Sequence, residues 1–270
     1  MSLKTKMILA SGLLLAVASI PAAHAMAQAD AAASTVSPDV AAAVAAPTRT
    51  AANAARDQYR NPAETLSFFG VTGDQTIVEY FPAGGWYMEI LAPLAAKGGG
   101  TYYGVQPGGR YREGTQKTID SNKTLYSGVK LVELAEVPAG SADTVLTFRN
   151  VHNMVMNGNA PTVFGEFFRM LKPGGVLGIV DHRMPEARDG ALEKSSGYLK
   201  VSTVRKLAED AGFVFDGSSE VNANPKDTAD WEKGVWTLPP SLSNGEANRE
   251  KYIAIGESDR MTLKFRKPAG

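Results

Sequence analysis

Apolar residues along this chain fall in short runs, separated by polar breaks that contain glycine, and the runs change period from one to the next. Residues 76–81 (TIVEYF), 101–105 (TYYGV), 129–135 (VKLVELA), 142–148 (ADTVLTF) and 176–180 (VLGIV) are short and rich in β-branched and aromatic residues, which predicts five strands. The fourth and fifth are apolar throughout, as in strands covered on both faces. Between them lie stretches with helical spacing. Residues 87–96 end in Gly98-Gly99-Gly100, residues 161–171 place Val163, Phe164, Phe167, Met170 and Leu171 on one face, and residues 198–212 close on Gly212. Upstream, helical material breaks before Pro62 and a short helix carrying Leu66, Phe68 and Phe69 follows. Residues 110–128 show no clear period. FVFDGSSEV (213–221) and MTLKFRK (261–267) read as two last strands forming an antiparallel edge pair, separated by a long polar insertion with Trp231, Trp236 and Pro239-Pro240. Strands alternating with helices predict a doubly wound, mostly parallel seven-stranded α/β sheet in a single domain, residues 48–270.

The first 47 residues differ in texture. Lys4 and Lys6 precede a short apolar core, then Pro21 and the small-x-small triplet Ala23-His24-Ala25, which is the pattern of a signal peptide over residues 1–25. The expectation is an exported, periplasmic protein with no membrane attachment after cleavage. Residues 26–47 are alanine-rich with little bulky apolar area, which predicts a loosely attached linker.

Lys plus Arg equals Asp plus Glu at 28 each, and removing two lysines with residues 1–25 leaves a slight acidic excess. No global basic character points to nucleic acid. The chain has no cysteine, which excludes disulfides, a thiol nucleophile and thiolate metal ligands.

In a sheet of this kind, ligands bind beyond the carboxyl ends of the strands. That directs attention to Phe81–Tyr87, Gln106, Arg149–Asn153 and Asp181–Arg183. The loop PAGGWY after the first strand lacks the three spaced glycines of a dinucleotide site, and Trp86 and Tyr87 would crowd a diphosphate. Only His152 and His182 remain after residues 1–25, and both follow apolar strands. His152 is a candidate general base and Asp181 a carboxylate able to orient it or take a proton. No close histidine spacing supports a metal site, and none is expected.

Glu79 through Gly85, followed by LKPGG at 171–175, resembles the class I S-adenosylmethionine-dependent methyltransferases, whose sheet is Rossmann-like. More narrowly, the chain is similar to a bacterial group of exported methyltransferase-like proteins with P-x-G-G-W-Y in the first loop, R-N-V-H-N after the fourth strand and D-H-R after the fifth. RDQYRNP (56–62) and GYLKVSTVRKLAEDAGF (197–213) match that group too, so the resemblance spans about residues 48–268. It implies S-adenosylmethionine as cofactor, held by Glu79, Pro82, Gly84, Gly85, Trp86, Gln106 and Asn150. It also implies methyl transfer to a small molecule facing Tyr87, Asn153, His182 and Arg183, with His152 and Asp181 catalytic. The alternative is a non-catalytic periplasmic binding protein on the same fold. Two departures stand out. Phe81 and Ala83 occupy positions where the general family has glycine, and Gln106 stands where it has an acid.

Overall fold

The computed structural model describes residues 35–270. The expected signal peptide and the first part of the expected linker lie outside the described residues. Pro38–Val44 (α1), inside the expected linker, is helical, with Pro38 in its first turn. Val40 is fully buried, with Ala43 and Val44 packed around it. α1 thus packs against α4 and α5, which corrects the loosely attached arm for residues 38–44.

The chain then forms Ala51–Ala54 (α2), Asp57–Arg60 (α3) and Pro62–Phe69 (α4). Asn61, in a left-handed conformation at φ 39°, separates the last two, and Pro62 starts α4. The expected break before Pro62 is therefore present. Thr76–Tyr80 (β1), Met88–Gly98 (α5) and Thr101–Val105 (β2) follow, then Arg110–Ser121 (α6) and Val129–Val132 (β3). α6 lies in the stretch without a clear period, and Thr115 is its one buried residue. Ala142–Phe148 (β4), Val151–Met156 (α7) and Ala160–Met170 (α8) lead into Leu171–Met184 (β5). The chain closes with Leu199–Lys200 (β6), Val201–Asp210 (α9), Val214–Ser219 (β7), Arg249–Ile255 (α10) and Arg260–Arg266 (β8).

The sheet order is β3-β2-β1-β4-β5-β8-β7, with β6 paired to the end of β5. β1 to β5 run parallel, while β8 is antiparallel to both β5 and β7. The seven expected strands form the main path, and the two-residue β6 makes the eighth.

Strand periodicity sets which layer each side chain enters. Ile77, Leu146 and Val180 point into a cluster with α1, α4 and α5. Their neighbours Val78, Val145, Leu177 and Ile179 point into the opposite cluster with α7, α8 and α9. Helices thus cover both faces, and the chain reverses its direction of strand addition between β1 and β4, which opens a crevice beyond their carboxyl ends.

Gly178 in β5 lies where Phe69 of α4 packs on the sheet. A Cβ there would meet Leu146 Cδ2 at 2.7 Å and Phe69 Cδ2 at 2.8 Å. Gly178→Ala should therefore cost about 1–3 kcal/mol through overpacking, measured as a lower urea midpoint with an unchanged slope.

Candidate active site

The crevice beyond β1 and β4 is a cleft of about 420 Å³. The loop after β1 forms one wall. Phe81 still donates its N–H to Val105 O at 2.8 Å, and Gly85 N–H closes a turn on Pro82 O at 2.8 Å. Phe81 (φ 62°), Ala83 (φ 46°) and Gly85 (φ 79°) are all left-handed. The backbone thus turns at all three positions of the glycine pattern, although two carry side chains. Side chains from the neighbouring strand and helix hold it there. Ala83 donates to Gln106 Oε1 at 3.1 Å, and Thr115 of α6 donates to Ala83 O at 2.9 Å.

Of the residues expected at the site, Glu79, Pro82, Gly84, Trp86, Tyr87, Asn150, His152, Asn153 and His182 line the cleft. Four others do not. Gly85 is buried behind the loop, where a Cβ would meet Met88 Cε at 3.0 Å. Gln106 is completely buried, so it braces the loop and does not face the cleft as a ligand group. Asp181 is also fully buried and stands behind His152. Arg183 turns away, making a bidentate pair with Asp259 at 2.8 and 2.9 Å and another with Glu220. Sequence order places all four just after strands, yet it does not say which side of the chain faces the ligand.

Asp181 organises the two histidines. Its carboxylate accepts from His152 Nδ1 at 2.8 Å and from the backbone N–H groups of His152 and His182. With its Nδ1–H donated to Asp181, His152 presents Nε2 as a proton acceptor. His182 meets Ser258 Oγ at 2.5 Å through Nδ1, and the two rings lie 5.0 Å apart. Burial first, then the charges of His152, Arg149, Arg260 and Arg60, hold His182 well below the usual imidazole range, so it is neutral near pH 7.

Potential ligand atoms of His152, Asp181 and His182 lie within 4.8 Å of one another. The oxygens of Asp181 are already committed to three N–H groups, and the charges bearing on His182, those of His152, Arg149, Arg260 and Arg60, are all positive. The arrangement suits an oriented imidazole better than a cation.

Arg260 and Glu257 are what the sequence reading missed, and it gives Arg149, flagged only as part of a strand end, no role. Arg149 and Arg260 line the cleft together with Arg56 and Arg60. Glu257 accepts from Arg56 Nε at 2.7 Å, from Arg60 Nε at 3.2 Å and from Arg260 Nη2. RDQYRNP is legible as a charged run, but its partners lie about 200 positions away and no local signal links them. The upper wall is Trp236 with Pro239, Pro240 and Ser241, from the polar insertion. Trp86 and Tyr87 both line the cleft and pack inward. Trp86 Nε1 donates to Asn53 O at 2.8 Å, and Tyr87 stacks on Phe148.

No family model matches the chain, and no curated protein matches it in sequence. Solved structures match in fold. A SAM-dependent methyltransferase from Aquifex aeolicus superposes with a TM-score of 0.56 at 15% identity, covering 79% of this chain and 93% of that one. The cyclase SpnF gives 0.54 at 14% identity, covering 84% and 86%. A geranyl diphosphate methyltransferase in complex with SAM gives 0.52 at 14% identity, covering 84% and 94%. At these identities the likeness is one of fold, and the fold is the Rossmann-like sheet of the SAM-dependent methyltransferases.

Glu79 carries a titration that tests the site's geometry. Burial raises its carboxyl from 4.5 to about 7, although the hydrogen bond from Tyr102 at 2.6 Å lowers it. Between those two values the folded state holds a proton that the unfolded state lacks, so stability from this group rises as pH falls. From about pH 8.5 down to about pH 5.5 the gain is about 2 kcal/mol. Glu79→Gln lacks that gain. Its stability relative to the wild type should therefore drop by about 2 kcal/mol across this window in urea unfolding, whereas a pH-independent difference would contradict the buried placement of Glu79.

Proposed function

We propose that this protein transfers a methyl group from S-adenosylmethionine to a small molecule within the cleft. The observation that carries the reading is the loop after β1, left-handed at Phe81, Ala83 and Gly85, lying at the point where strand order reverses. The residues fit the cofactor. Glu79 lines the cleft beside this loop and suits an ammonium group, and Gln106 Nε2 is a buried donor without a partner behind it. An adjoining cleft of about 340 Å³, reached past Phe81 and Tyr111 and bordered by Pro107 and Met154, gives room for a nucleoside. Glu79, the Pro82–Gly84 backbone, Trp86 and Asn150 would hold the cofactor, with Gln106 and Gly85 acting through the loop.

When bound, the cofactor supplies an electrophilic methyl group on a sulfonium. The protein's own contribution is positioning and a proton acceptor. His152 Nε2 takes the proton of the acceptor's nucleophile, and Asp181 fixes the tautomer that leaves Nε2 free. Tyr87, Asn153 and His182 border the acceptor. Arg183 acts only by anchoring the end of β5 through Asp259 and Glu220.

Calorimetric titration of S-adenosylhomocysteine into the protein tests this directly. Micromolar affinity, equivalent to about −8 kcal/mol, is expected, with Glu79→Ala weakening it at least tenfold and His152→Asn leaving it within threefold. Absence of heat at two temperatures, with a folded sample, would sink the reading. Residues 1–25 are read as a signal peptide and the protein as exported. Fractionation should therefore recover a chain beginning at Met26 outside the cytoplasm, and a full-length cytoplasmic chain would overturn that part.

A further inference from the structure

The cleft holds more positive charge than its own acids neutralise. Arg60, Arg149 and Arg260 border it from three parts of the chain, namely the end of α3, the residue after β4 and the start of β8. The same three side chains border a recess of about 10 Å³ beside it, about the size of one water, so they converge on one spot. Glu257 is shared by Arg56, Arg60 and Arg260, and Arg149 makes no salt bridge among the described residues. Glu79 is the acid that lines the cleft, and burial raises its carboxyl to about 7.

The hydrogen bonds tell the same story. Arg60 is 6% exposed and Arg260 2% exposed, yet Arg60 Nη2 and Arg260 Nε are buried without an acceptor. A buried donor left unpaired costs about 1–3 kcal/mol, and more when charged. Burial, and then the charge of Arg149, pulls Arg60 down to about 8. Burial, and then Arg260, pulls Arg149 down to about 10. These guanidinium groups are held against their own repulsion, with planar donor forks suited to anionic oxygens.

We infer that Arg60, Arg149 and Arg260 form a subsite for an anionic group, a carboxylate or a phosphate monoester, carried by the methyl acceptor. Assignment to the acceptor rests on the methyl-transfer reading; the anion subsite itself does not. The recess on which the three arginines converge is bordered by Tyr87, Phe148, Val180 and Asn222 and by none of residues 81–85, and the charges of all three bear on His182, although Arg60 also lies over the Trp86 ring. An acceptor anchored there lies next to His152. A sulfonium would be repelled from the same place.

Inorganic phosphate is the probe. Added to the full chain at constant ionic strength, it should raise the melting temperature saturably over a sodium chloride control. Arg149→Met should weaken this binding at least tenfold. In chloride alone the variant should melt no lower than the wild type, because it removes an unpaired charge; a side chain with a purely structural role would lower it. Arg149→Lys keeps a charge without the fork, and should fold as the wild type while binding phosphate at least threefold more weakly. No saturable effect in the wild type, or undiminished binding by both variants, overturns the subsite. S-adenosylhomocysteine and methylthioadenosine, which lacks the carboxylate, identify the anion's source. Both should bind wild type and Arg149→Met within threefold. A tenfold loss confined to S-adenosylhomocysteine would give the arginines to the cofactor and overturn the acceptor assignment. If phosphate binds and neither nucleoside does, the subsite stands and the methyl-transfer reading falls.

Discussion

The cleft depends on one buried carboxylate. Glu257 ties Arg56 and Arg60, near the N-terminus, to Arg260 at the start of β8, and so pins the N-terminal helices across the carboxyl edge of the sheet. Burial pushes its carboxyl up, but Arg260, Arg60, Arg56 and Arg149 outweigh that and hold it at about 2, so it stays ionised throughout the neutral range. Losing one member of a buried ion pair typically costs about 3–5 kcal/mol, because the other is left uncompensated. Here three guanidinium groups would be left. Trp86 extends the attachment, since the Arg60 guanidinium lies 4.7 Å above its ring and its Nε1 bonds Asn53 O. The wall of the cleft and its surplus of positive charge therefore have the same origin.

The loop after β1 is a second constraint, resolved differently. A left-handed residue other than glycine costs roughly 1–2 kcal/mol, and Phe81 and Ala83 both bear it. Ala83 has its N–H and its carbonyl tied by Gln106 and Thr115, while Phe81 packs against Tyr111 at 5.3 Å. The uncharged amide of Gln106 also suits a side chain with no exposed surface, where a carboxylate would be expensive to ionise. Gln106, Thr115 and the left-handed Ala83 thus form one brace.

How much of this the sequence discloses follows from the range of the interactions. β2 and β4 match their apolar runs to the residue, and α8 matches its spacing within one, because buried strands and amphipathic helices write their period locally. α6 is nearly all exposed and leaves no period to read. α1 is hidden by alanine, for Val40 is its one buried residue. At the site, strand ends point to Glu79, Asn150 and His152 because the topology brings every strand end to one edge. Asp181 and Arg183 sit at the same edge but face elsewhere, Asp181 inward to His152 and Arg183 outward to Asp259. Arg260 and Glu257 are invisible because a tether between residues about 200 positions apart leaves no local pattern.

Charge is divided along the cleft in a way that fits the proposed reaction. Glu79, Phe81 and Trp86 make the loop side acidic and aromatic, a surface that tolerates a cation. Arg149 after β4 and Arg260 at the start of β8 repel one. Between the two stand the histidines, and their environments separate their roles. His152 has Asp181 to define which nitrogen carries the proton. His182 is kept neutral by burial and by the same arginines, so it adds no charge near the acceptor. An acceptor whose anion lies on the arginines has its nucleophile in a field that favours losing a proton, and the nearest oriented base is His152. In the proposed reaction, the surplus charge that makes the cleft costly to fold would be the feature that orders its ligand.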